Sequence, residues 1–96
     1  PDPVTTFDDD PLRILRAIRF AVTKRFTIEQ TTWQAMVFYD YDAKMPVVSE
    51  ERIREELIKC FKCNTIRTLT YLEYLPRLKD YIFDKTNLWL KPTNEK

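Results

Sequence analysis

Residues Asp8 to Phe20 read DDDPLRILRAIRF, and the reading of this stretch decides the fold. An aspartate followed by proline marks a helix start, because the carboxylate accepts free backbone N–H groups and proline surrenders a donor that had no partner. A helix is predicted from about Asp10. Leu12, Ile14, Leu15, Ile18 and Val22 follow at helical spacing and make an apolar, core-facing stripe. Asp10, Arg13, Arg16 and Arg19 recur every third residue. Each residue turns a helix by about 100°, so this row drifts only about 60° per step, and all four side chains can reach one side. A ridge of one acid and three arginines therefore lies opposite the core. The same pattern also fits an ordinary helix start and a solvated face, so spacing alone assigns no site.

Working outward, the first six residues carry two prolines and no helical period, and they read as an extended lead-in. Beyond a turn at Lys24 to Phe26, Thr27 and Gln30 carry a capping-box spacing, predicting a second helix over about Ile28 to Tyr39. Trp33, Met36, Val37 and Phe38 make it apolar on more than one side, as expected of a core element rather than a base-stacking platform. The segment Tyr39 to Pro46 reads as a solvated loop. It contains Asp40 and Asp42, a D-x-D spacing without the strand or glycine turn that a two-metal site would need.

Ser49 is an N-cap for a third helix, with Val48 set to staple onto Ile53 and a stripe of Ile53, Leu57, Ile58 and Phe61. Glu51, Arg52, Glu55 and Glu56 read as its exposed charged face. Asn64 caps a fourth helix with Ile66, Leu69, Leu72 and Leu75 on its inner side, ended by Pro76. Pro76 starts a short fifth helix through Tyr81 or Phe83. The run Asn87 to Pro92, NLWLKP, alternates like a strand with nothing to pair with, and reads as an extended tail. The expected architecture is all-α, a small bundle of about five short helices with extended ends, in one domain over residues 1–96.

Composition narrows the function classes. A chain of 96 residues is one small domain, and 44% hydrophobic residues suit a folded chain rather than a disordered one. With 16 basic against 15 acidic residues, no global positive field attracts nucleic acid, so any such contact must come from local clustering. Glycine is absent, which excludes a glycine-rich phosphate loop. Cys60 and Cys63 form a lone C-x-x-C in a chain without histidine, too few ligands for zinc, and both read as reduced structural residues. No signal peptide or long apolar run is present, so a cytoplasmic protein with no membrane partner is expected. Starting at Pro1 rather than methionine, the sequence reads as a piece of a longer chain.

An aspartate three residues before an arginine sets a carboxylate acceptor beside a guanidinium donor fork. That pair complements the Watson–Crick edges of cytosine and adenine, which show an amino donor beside a ring-nitrogen acceptor, and opposes those of uracil and guanine. Arg16 and Arg19 follow Arg13 by about 4.5 and 9 Å along the axis, a reach that suits a triphosphate attached to the base.

Here the sequence resembles a family. DDDPLRILRAIRF is similar to the nucleotide-selecting motif of the class II tRNA nucleotidyltransferases, the CCA-adding enzymes and their bacterial poly(A) polymerase relatives, in which Glu-Asp-x-x-Arg is followed by further arginines. The matching positions are Asp9, Asp10, Arg13, Arg16 and Arg19, with aspartate at Asp9 in place of the usual glutamate. The lead-in Asp2, Pro3, Val4 and Phe7 and the run Ser49 to Leu57, SEERIREEL, extend the resemblance to about residue 60. It implies nucleotide-binding residues Asp10, Arg13, Arg16 and Arg19, with CTP, ATP and tRNA as partners. It also implies a separate head domain that binds Mg²⁺ and performs the transfer, since no residue here matches the family's catalytic carboxylates. This chain would bind no metal, supply no catalytic residue and be inactive alone. The alternative is a non-catalytic helical RNA-binding or protein-docking module whose arginines meet charge without reading a base.

Overall fold

The computed structural model describes residues 3–85. Its centre is α2, Leu12–Thr23, the helix expected from the opening motif. The Asp10 carboxylate accepts the Leu12 N–H at 3.2 Å, and Arg13 N–H bonds the Asp10 carbonyl at 3.0 Å, so Asp10 starts the helix as its sequence position predicts. Leu12, Ile14, Leu15, Ile18, Ala21 and Val22 are all buried. Full burial of a Leu or Ile side chain contributes about 1.5 to 3 kcal/mol, so this stripe outweighs any local propensity in fixing the helix. The helix ends after Lys24, whose N–H bonds the Phe20 carbonyl, and Arg25 follows at φ 60°. That left-handed position normally falls to glycine, and in a glycine-free chain an arginine takes it at a cost of about 1 to 2 kcal/mol.

The expected extended lead-in is a helix instead, α1, Pro3–Asp9. Proline is tolerated in a first turn, and the segment is held from outside rather than by its own pattern. Phe7 is buried and meets the Tyr39 ring edge-on at 6.2 Å, the Tyr39 hydroxyl donates to the Phe7 carbonyl at 3.2 Å, and Lys44 pairs with Asp8 at 2.9 Å.

Helix α3, Gln30–Phe38, begins later than the capping box implied, because Gln30 is its first residue and no side chain caps it. Ile28 packs on the core and holds residues 25–29 out of the helix. Met36 is fully buried and Trp33 half-buried, whereas Phe38 projects at 72% exposure, so only part of the apolar surface expected to be core is core. The expected loop after it is structured: α4, Tyr41–Lys44, capped by Asp40, runs into a 3-10 turn over Met45–Val47. Tyr39, Tyr41 and Met45 are buried there, and this apolar content draws the segment against the core.

Helix α5, Glu50–Cys63, has the predicted cap, the Ser49 hydroxyl accepting the Arg52 N–H at 3.2 Å. Ile53 and Leu57 are buried, but Ile58 lies partly outside the core. Asn64 closes α5 and opens α6, Thr65–Glu73, by accepting the Arg67 N–H at 2.9 Å. The four-residue stripe expected on α6 divides: Leu72 and Leu75 are buried while Ile66 is 78% exposed and Leu69 44% exposed. Steps of three residues drift by about 60°, so the ends of that run lie on opposite sides. Thr68 takes the buried place, with its hydroxyl donating to the Asn64 carbonyl at 2.8 Å. Helix α7, Pro76–Asp80, continues as a π-helical turn over Tyr81–Lys85, burying Leu78, Tyr81 and Ile82.

The described residues thus form an all-α bundle with no strand. Helix α2 packs chiefly on α5 and also touches α1 and α6, while α3 bridges α1 and α7. Among the described residues no helix is long and apolar enough to cross a membrane. The stretch Asn87 to Pro92, expected as an extended tail, lies outside the described residues.

Candidate functional site

The row Asp10, Arg13, Arg16 and Arg19 winds around α2, and its members have different surroundings. Asp10 is half-buried, with Oδ1 engaged in starting α2. Arg13 is exposed, and its Nη1 donates to the Thr6 carbonyl at 3.4 Å, a long bond from the end of α1. Among the described residues Asp10 and Arg13 form no ion pair with each other. Asp9 is exposed beside them.

Arg16 and Arg19 converge on one carboxylate. Glu56 of α5 is only 5% exposed, and its Oε1 accepts Arg19 Nε at 2.6 Å while Oε2 lies 3.5 Å from Arg16 Nε. Arg19 also lies over the Phe20 ring at 4.9 Å. This corrects the reading of Glu56 as part of an exposed charged face. The signal was in the sequence: Glu56 sits between Ile53, Leu57 and Cys60 on the apolar side of α5, and a charge on that side requires a partner. The partner, on a helix 37 residues away in sequence, was not visible to local spacing.

Cys60, one turn beyond Glu56, is buried with its thiol pushed up to about 11, first by burial and then by the Glu56 carboxylate, with Arg19 opposing. Such a thiol is a poor nucleophile at neutral pH. Cys63 is exposed and free. The tyrosines around α4 are raised likewise: Tyr39 to about 12, by burial and then the Asp8 charge, and Tyr41 further, by burial.

The D-x-D pair lies at the start of α4. Asp40 Oδ1 accepts the Ala43 N–H at 3.2 Å as a helix cap, and the described residues contain no group of three or more potential metal-ligating side chains. A groove of about 1000 Å³ lies elsewhere, between the start of α3 and α6, lined by Trp33, Ile66, Arg67, Tyr71 and Tyr74.

No family model matches the chain, and no solved structure does. Curated relatives do. The chain is 41% identical over 58 residues to a CCA-adding enzyme of Lactobacillus helveticus, a match covering 60% of this chain and 14% of that protein. It is 36% identical over 86 residues to the tRNA nucleotidyltransferase cca2 of Schizosaccharomyces pombe, covering 85% and 17%. It is 32% identical over 94 residues to a CCA-adding enzyme of Staphylococcus saprophyticus, covering 91% and 23%. The chain therefore spans less than a quarter of the length of these relatives. Most of this short chain is matched by proteins of one kind, from bacteria and a yeast, so it corresponds to a segment of the CCA-adding enzyme and tRNA nucleotidyltransferase family.

Proposed function

We propose that this chain is the nucleotide-selecting and RNA-binding helical part of a tRNA nucleotidyltransferase that completes or repairs tRNA 3′ CCA ends in the cytoplasm, with CTP, ATP and tRNA as substrates. Transfer itself, and the Mg²⁺ it uses, belong in this reading to a head domain outside residues 1–96. The observation that carries it is the state of Asp10 and Arg13. A carboxylate just before α2 and a guanidinium in its first turn lie three residues apart, with no ion pair between them among the described residues, on a helix anchored by a fully buried stripe. An acid and an arginine meant only to stabilise a surface would neutralise each other, whereas these keep acceptor and donor available for a base edge.

The test is base discrimination in a complex reconstituted with the head domain of a related enzyme. Arg13→Ala removes a charge-assisted bond worth about 1.5 to 3 kcal/mol, so the ratio of kcat/KM for CTP over UTP is expected to fall by about tenfold or more. An unchanged ratio in a folded variant rejects base reading. The alternative would then stand: a docking module using charge and the α3–α6 groove, where Ile66 and Tyr74 are 78% and 67% exposed. Such a module treats CTP, UTP, ATP and GTP alike.

A further inference from the structure

We infer that an apolar groove between α5 and α6 is the docking site of this chain's own run Leu88, Trp89 and Leu90. That run lies outside the described residues, and the groove lies within them.

The groove measures about 620 Å³ and is lined by Ile58, Phe61 and Lys62 of α5, Thr65 and Leu69 of α6, and Phe83. Lys62 is the single charged residue of the lining, and its ammonium on a long apolar stem suits the face of an indole. Ile58 is 38% exposed and Leu69 44% exposed, although both extend the apolar stripes of their helices. A lone exposed aliphatic residue is ordinary on a protein surface. Here two of them, on adjacent helices, share one concavity with two phenylalanines, and such a patch marks an interaction site.

The occupant is argued from where the chain goes. Phe83 is part of the groove wall, the described chain ends at Lys85, and Leu88 follows three positions later. At about 3.3 Å per extended residue, Trp89 reaches as far as about 20 Å from Phe83, enough to span the groove. Pockets of about 300 to 1,000 Å³ enclose drug-sized apolar ligands, so this one takes an indole with a neighbouring leucine. The run itself carries no charge, which matches this lining better than that of the α3–α6 groove, where Glu29 and Arg67 both face the space. A tether of a few residues also gives an effective concentration in the millimolar range, so the chain's own run outcompetes that of a second copy in dilute solution.

The experiment uses the full chain of 96 residues with labelled methyl groups. Nuclear Overhauser contacts from the Trp89 indole to the Ile58 and Leu69 methyls are expected; their absence overturns the inference. In a mixture of labelled and unlabelled chains, the same contacts seen between chains would assign the groove to a second copy and equally overturn it. Leu69→Asp places a charge in the groove at a residue already partly exposed. It is expected to abolish the contact between Trp89 and Ile58 while the helical circular dichroism is kept. Trp89→Ala is expected to lower Tm by about 4 to 8 °C in the wild-type chain and by less than about 2 °C in the Leu69→Asp chain, because the two residues share one contact. Additive losses overturn the inference. Should Leu69→Asp not fold, Ile58→Glu replaces it, read through the contact between Trp89 and Leu69 and the same pair of melts.

Discussion

Arg13 and Arg19 are the same residue type on the same helix, two steps of about 60° apart around it, and the bundle treats them oppositely. Arg13 stands exposed in the first turn of α2, its guanidinium bonding the Thr6 carbonyl at 3.4 Å. Arg19 lies against α5 and meets a buried carboxylate at 2.6 Å. The difference comes from what packs opposite. Helix α5 brings Glu56 to the later turns of α2, while in the first turn Arg13 meets the Thr6 carbonyl of α1. A periodic row of charges is thus divided by its neighbours into a part that holds the fold and a part left open to solvent.

The largest expected effect tests the holding end. Arg19→Ala leaves the buried Glu56 carboxylate with Arg16 alone at 3.5 Å. Breaking a fully buried pair costs about 3 to 5 kcal/mol, and because both arginines retain solvent the expected loss is about 2 to 3 kcal/mol. In a chain of this size that lowers Tm by about 10 °C or more. Arg13→Ala is expected to change stability by less than about 0.5 kcal/mol, as for an exposed substitution. Equal melting of the two variants would erase the contrast.

A second effect reports through pH on the packing around Glu56 and around Tyr39. The Cys60 thiol is raised from 9.0 to about 11, and Tyr39 from 10.0 to about 12. Between the unfolded and folded values the unfolded chain binds fewer protons, so stability falls as pH rises. The slope is about 1.4 kcal/mol per pH unit for each group within its window. Stability is expected to be flat below pH 9 and to decline from pH 9 to 12. Cys60→Ala removes the part between pH 9 and 11, and denaturant melts at each pH check it. Arg19→Ala shifts the thiol further up, since Arg19 lowers it, whereas Arg13→Ala leaves thiol titration unchanged.

The smallest effect lies at the open end. Asp10→Ala removes the acceptor for the Leu12 N–H and is expected to cost about 1 kcal/mol, the usual loss for an N-cap. Asp10→Ser keeps the cap and loses the charge. If Asp10 serves only to start the helix, Asp10→Ser behaves as wild type in nucleotide selection. If it also reads the base, discrimination between CTP and UTP falls while melting is preserved.

The sequence by itself determined the helical class, the register of α2, the caps at Asp10, Ser49 and Asn64, and the turn after Lys24. These are local matters, because a cap or an apolar period acts within one or two turns of its own chain. It also spaced Asp10, Arg13, Arg16 and Arg19 every third residue. Only the tertiary structure decided that residues 3–9 are a helix, since Phe7 and Asp8 take their partners from Tyr39 and Lys44. Only the tertiary structure turned the expected loop at Tyr41 into α4, and divided the apolar run of α6 between core and solvent. The same holds for the arginines. Spacing fixes the direction in which a side chain leaves its helix, but the carboxylate that engages Arg16 and Arg19 comes from a helix distant in sequence. No local pattern carries the identity of a partner brought near by packing.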